Sequence, residues 1–179
     1  DNPSDSTDIS EDNSRTDEKA HEAAPSPKND LPEPTEGQKK AGNYKKGHIR
    51  MSGMDLSIEN PAGSERSGTD SSGKPWSMTL KSHYGYIRGT KGKDKEHIDI
   101  FVKPGTSTDY SGYMFVVDQR KPGSKAFDEH KVIMGAADLR EAMKLYEENY
   151  AKDWKGLGST STFTMDQFKS WLREGDHTQ

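Results

Sequence analysis

None of the chain's Phe, Tyr or Trp residues falls within residues 1–40, and that absence divides the chain. This first stretch is rich in Ser, Pro, Asp and Glu and carries 11 acidic against 5 basic side chains. Without large apolar groups to bury, it cannot offset the entropy of ordering its backbone. Residues 1–41 are therefore expected to be a disordered acidic linker or tail, 42–175 a single folded domain, and 176–179 a disordered C-terminus. An acidic, Pro/Ser-rich stretch leading into a compact domain has the character of an interdomain linker, so other domains of a longer polypeptide are expected. The first 40 residues carry a net charge of −6 out of a total of −4, which leaves residues 41–179 at about +2. A nearly neutral domain must draw its chemistry from local clusters of charge.

Several classes of chemistry are excluded at once. The chain has no cysteine, which removes disulfides, thiolate metal sites and a cysteine nucleophile, and fits a reducing compartment. No apolar run approaches the ~20 residues of a membrane span, and no basic-then-apolar leader opens the sequence. A soluble, cytoplasmic protein without membrane contact is expected.

From Lys46 onward, short alternating runs are broken by Gly, Asn, Asp and Ser, the pattern of strands and hairpins. His48 to Met51 and Met54 to Ile58 flank a Ser52-Gly53 turn. Glu65 to Gly68 pairs with Trp76 to Leu80 across Asp70-Ser-Ser-Gly73. Ile98 to Lys103, Gly112 to Asp118 and Phe127 to Met134 bring the count to about seven strands. Helix comes late: Leu139, Met143, Tyr146 and Tyr150 follow Asp138 at helical spacing. Thr164 and Gln167 then form a capping-box pattern ahead of Phe168, Trp171 and Leu172. The fold class expected is α+β and mainly β: a small, OB-like closed β-barrel with two C-terminal helices packed on it.

The chemistry is concentrated between residues 84 and 103. Asp94, Glu96 and Asp99 place three carboxylates within six positions that open directly into an apolar strand. Crowded carboxylates repel and raise one another's pKa, so a stable cluster calls for cations, most simply hard divalent metals that favour oxygen ligands. Mg²⁺ and phosphate are the expected ligands.

Tyr84-Gly85-Tyr86-Ile87, followed by Asp94-Lys95-Glu96-His97-Ile98-Asp99-Ile100-Phe101-Val102, resembles the signature of the soluble inorganic pyrophosphatases. That signature runs from Tyr-Gly-Tyr/Phe-Ile through a short loop to Asp-Gly-Asp-Pro-x-Asp-Val-Leu-Val. More closely, Gly42 to Leu172 is similar to the divergent pyrophosphatase-like domain inside the polyvalent proteins of phages and conjugative mobile elements. The resemblance implies Mg²⁺-dependent hydrolysis of pyrophosphate to two phosphates, with two or more ions. It makes Asp94 and Asp99 metal ligands, and Glu96 the carboxylate that orients or deprotonates the attacking water.

Further along, Asp118 and Glu129, with Asp128 as the near alternative, correspond to metal-binding aspartates of a hairpin, and Lys131 to a phosphate-binding lysine. Ile58-Glu59-Asn60-Pro61 resembles an Ile-Glu-Ile-Pro strand whose glutamate reaches the metals through water. Arg66, Lys74 and Tyr84 fall near phosphate-binding positions, and Tyr150 with Lys152 near a late Tyr-Lys pair. Glu96 is one methylene longer than the family's aspartate. The family's Asp-Arg-Phe-Leu segment is replaced by Gly73-Lys74-Pro75-Trp76.

Each carboxylate taken alone reads as an ordinary solvated turn residue; the order of the set is what points to a site. His97 and His130 lie beside these carboxylates, but no third imidazole is spaced to complete a zinc site. Two alternatives stay open. One is hydrolysis of another phosphoanhydride, such as a nucleotide. The other is an inactive binding or scaffold module of a polyvalent protein. Direct nucleic-acid binding is not expected, because the shared surface is acidic.

Overall fold

The computed structural model describes residues 17, 20, 49–70, 72–90, 97–121, 123–150 and 154–174. Among them the strands are β1 (Ile49–Met51), β2 (Met54–Asn60), β3 (Glu65–Thr69), β4 (Pro75–Thr79), β5 (His83–Ile87), β6 (Ile98–Val102), β7 (Met114–Arg120), β8 (Phe127–Met134) and β9 (Thr160–Phe163). Helix α1 (Leu139–Glu147) precedes β9, and α2 (Met165–Glu174) follows it. The expectation of a disordered N-terminal segment falls outside the described residues, apart from Asp17 and Ala20, which are helical. The same holds for residues 176–179. Among the described residues no helix is long and apolar enough to cross a membrane.

The mainly-β, α+β class is as expected, but the barrel is not closed. Seven strands form one curled sheet in the order β1-β2-β5-β6-β8-β7-β9, while β3 and β4 form a separate ribbon. Closure requires the two edge strands to meet and pair. Here the edges are three and four residues long. Phe168 of α2 is fully buried in the same apolar cluster as Ile49 and Met51 of edge strand β1, so a helix packs where barrel strands would otherwise continue. Strands β5 and β9, which the alternating pattern did not single out, complete the sheet. Strand β5 is almost wholly buried and so lacks a polar-out alternation.

The β1–β2 hairpin turns through Ser52 and Gly53, both at positive φ, which is the tight two-residue geometry suited to strand twist. Gly85 is required for another reason. A Cβ there would lie 1.8 Å from the Ser57 carbonyl oxygen, so only glycine lets β2 and β5 approach this closely.

Alternation along the strands divides the core. One face gathers Leu56, Ile58, Ile87, Ile98, Ile100, Val102, Val116, Val132 and Phe168. The other gathers Tyr84, Phe101, Phe115, Val117, Ile133, Leu145 and Tyr146 under α1. Each fully buried Ile or Leu contributes ~1.5–3 kcal/mol.

Helix α1 begins where expected: the Asp138 side chain accepts the Glu141 N–H at 2.8 Å, and Glu141 Oε1 accepts the Ala137 N–H at 3.0 Å. Its buried stripe is Ala142, Leu145 and Tyr146, whereas Leu139 is 43 % exposed and Tyr150 lies beyond the helix end. Of the expected stripe, Tyr146 is buried and Met143 and Tyr150 pack against the same cluster, which Ala142 and Leu145 join, while Leu139 does not. Past its end, Asn149 Oδ1 accepts the Lys81 and Ser82 N–H groups at 2.8 and 3.3 Å, tying the helix to the turn that launches β5. The Thr164–Gln167 capping box forms reciprocally at the start of α2, at 3.0 and 3.2 Å.

Candidate active site

On the α1 side of the sheet, apolar packing gives way to charge. Tyr84 and Tyr86 are two apart on β5 and so share a face, and Tyr86 is opposite Asp99 of β6. Asp99 in turn is opposite Lys131 of β8, across the one parallel pairing among the described strands. Three adjacent strands therefore deliver Tyr84, Asp99 and Lys131 to one spot. Lys131 Nζ is 2.6 Å from Asp99 Oδ2 and 2.7 Å from Glu129 Oε1, and it donates to Tyr84 Oη at 3.0 Å. Tyr84 Oη donates to Asp99 Oδ2 at 2.9 Å, closing the triangle.

Tyr84 and Asp99 of this triangle line a cavity of about 400 Å³, with Glu59, Arg66, Tyr86, His97 and Glu129. Arg66 arrives on the β3–β4 ribbon. Its guanidinium lies 4.5 Å from the centre of the Tyr84 ring and 5.6 Å from that of Trp76, stacking that steers its charge into the cavity. Tyr86 and His97 stack almost flat on the wall, 4.3 Å apart at 11°.

Burial shapes the electrostatics. It raises the Glu59 carboxyl above its ordinary range, and the nearby Asp99 raises it further, against the pull of Arg66 and Lys131. Burial also raises Glu129, only partly offset by Lys131. Lys131 is 3 % exposed. Burial opposes its charge, but the oxygens of Tyr150, Tyr84, Asp99 and Glu129 outweigh this and hold its pKa well above the usual lysine range. Tyr84, pushed up by burial to about 12, keeps its proton and remains a donor.

Of the residues expected from sequence, Glu59, Arg66, Tyr84, Asp99, Glu129 and Lys131 come together here. Asp94 and Glu96 lie outside the described residues, as does Lys152. Lys74 does not join them. It is exposed in the turn of the β3–β4 ribbon, its backbone N–H donated to Asp70 Oδ1 at 2.9 Å. Nor does Asp118. Its cross-strand partner is His130, one position out of phase with Glu129 and Lys131, so it points to the opposite face of the sheet. There Asp118 Oδ1 is 2.8 Å from His130 Nδ1, and Oδ2 accepts from Ser159 Oγ at 2.8 Å. Asp128 accepts from Gln119 Nε2 at 3.3 Å, while Glu129 lines the cavity. Tyr86 was not singled out from sequence, although its i+2 spacing from Tyr84 on a strand was the available signal.

The sequence profile of the family described as Inorganic Pyrophosphatase matches residues 36–173. The chain belongs to the inorganic pyrophosphatase family. No curated protein matches the chain. Among solved structures, it is similar to the crystal structure of an inorganic pyrophosphatase from Neisseria gonorrhoeae, at 17% identity, over 71% of this chain and 94% of that one, with a TM-score of 0.38.

The donors around this family site fit Mg²⁺. Glu59, Asp99 and Glu129 offer carboxylate oxygens, and burial disfavours the ionised form of Glu59 and Glu129, a cost that a hard cation relieves. Among the described residues no three acidic or imidazole groups converge into a cage on their own.

Proposed function

We propose that this chain is a Mg²⁺-dependent hydrolase that splits inorganic pyrophosphate into two phosphates. The observation that carries the reading is the Tyr84–Asp99–Lys131 triangle, open to a cavity that also holds Glu59, Glu129 and Arg66. Three carboxylates against two cations leave this cavity formally negative, so it repels a polyanionic diphosphate unless cations enter with it. Asp99, with Glu59, Glu129 and the undescribed Asp94, would hold Mg²⁺. The chemistry the metal supplies when bound is neutralisation of the diphosphate and a water acidic enough to attack at neutral pH.

The protein's own groups do the rest. Arg66, braced on two aromatic rings, binds a phosphate. Lys131 and the Tyr84 hydroxyl donate to phosphate oxygens from fixed positions, and Lys131 offsets part of the burial that raises Glu129. Glu96, which resembles the family's water-orienting aspartate in sequence, takes the proton of the attacking water. That water forms the new P–O bond as the bond to the bridging oxygen breaks, and two phosphates leave. Lys74 and Asp118 receive no part in this reading.

Phosphate release from pyrophosphate in millimolar Mg²⁺ tests it, with Asp99→Ala as control and Ca²⁺ as competitor. Release that Asp99→Ala abolishes supports the reading; no release from folded protein overturns it. A second reading, a nucleotide as the phosphoanhydride, is favoured by the Tyr86–His97 stack on the cavity wall, a surface on which a base can lie. Faster release from nucleoside triphosphates than from pyrophosphate would select it.

A further inference from the structure

The family match begins at residue 36, yet two residues upstream of it are built into the folded body. Ala20 is fully buried in the larger apolar cluster, with Ile49, Met51, Leu56 and Phe168. One helical turn earlier, Asp17 Oδ1 lies 2.8 Å from His83 Nε2 and accepts the Gly105 backbone N–H at 3.1 Å. Asp17 and Ala20, both helical, supply the carboxylate and the apolar plug.

The receiving groups suit an acidic partner. His83 is 1 % exposed, and its Nδ1 accepts the Ala62 N–H at 3.0 Å. The neutral ring therefore carries its proton on Nε2, facing Asp17. Asp17 Oδ1 receives both N–H groups, and bonds to a carboxylate are stronger than neutral ones.

The two donors stand on different elements. His83 opens β5 and precedes Tyr84 directly; Gly105 lies in the turn that leaves β6, the strand of Asp99. We propose that Asp17 and Ala20 form an intramolecular clasp. These two residues occupy a docking surface made by His83, Gly105 and the adjoining apolar core, and thereby hold together the ends of the two strands that present Tyr84 and Asp99. Asp17 is then a positioning residue acting through β5 and β6. The inference stands apart from the choice of substrate.

Amide hydrogen exchange and ¹⁵N spectra of the full chain test it, comparing Asp17→Ala, Asp17→Asn and Ala20→Asp with Glu11→Ala as a charge control. Asp17→Ala should speed exchange of the Gly105 amide on the order of 10-fold and shift the His83 ring nitrogens, as loss of a hydrogen bond to a charged group requires. Faster exchange should extend to Tyr84 and Tyr86. Asp17→Asn, which keeps an acceptor oxygen, should restore much of the protection, and Ala20→Asp should mimic Asp17→Ala. Unchanged Gly105 exchange and His83 shifts in folded Asp17→Ala would overturn the clasp. Changes confined to Gly105, with Tyr84 and Tyr86 unaffected, would overturn its positioning role.

Discussion

Lys131 Nζ lies 2.6 Å from Asp99 Oδ2, across one rung of the parallel ladder between β6 and β8. A lysine that is 3 % exposed is a built-in cation, placed where carboxylates from two strands would otherwise repel. Lys131→Met keeps the volume and removes the charge. Stripping one partner from such a pair should cost ~2–4 kcal/mol, less than for a fully buried pair because the carboxylates are partly solvated. Thermal melts should show a lower Tm without metal and a larger Mg²⁺-induced rise than in the wild type.

Tyr84→Phe separates the hydroxyl from the ring. The ring contact with Arg66 should survive, while the hydroxyl's bonds to Asp99 and Lys131 are lost. The loss should be ~1–2 kcal/mol, on the order of 10-fold in kcat/KM for phosphate release, with Tm changed little. An unchanged kcat/KM would remove the hydroxyl from the phosphate-binding set.

The raised carboxyls Glu59 and Glu129 set a pH dependence. A carboxyl whose pKa is higher in the folded than in the unfolded state contributes stability that is full below the unfolded value. That contribution is lost as pH rises through the folded one. At neutral pH, Glu59 therefore works against the metal-free fold. Glu59→Gln should melt higher than wild type near pH ~7, and the difference should close on acidification towards pH ~4. The Mg²⁺-induced rise in wild-type Tm should shrink over the same descent, because protons compete for the ligands.

Asp118 and Asp99 provide a contrast between faces of one sheet. Asp118→Ala removes the partner of His130 and Ser159, and should cost ~1–3 kcal/mol in urea unfolding while leaving kcat/KM within a few-fold of wild type. Asp99→Asn should lower kcat/KM by on the order of 100-fold or more. Equal losses in the two variants would place Asp118 in the chemistry after all.

Local signals were sufficient for much of this. Positive-φ turn residues, the Asp138 cap, the Thr164–Gln167 box and run lengths located seven strands and two helices, because each depends on neighbours a few residues apart. The Tyr84 block, Asp99, Glu129 and Lys131 were legible as a set because family order preserves which strand carries which group. Which face each group takes was not legible. Asp118 and Glu129 both looked like hairpin ligands, and only the cross-strand register, in which Asp118 opposes His130 and Gln119 opposes Glu129, sends them to opposite sides of the sheet.

Composition and local pattern thus determined the β-rich class, the element order and the carboxylate-rich chemistry, since these rest on side-chain identity and short-range spacing. Three things were decided only in three dimensions: the open edge under Phe168, the parallel rung that joins Asp99 to Lys131, and the reach of Asp17 to His83. Each depends on contacts between segments distant in sequence, where burial and hydrogen bonding across the fold outweigh any local preference.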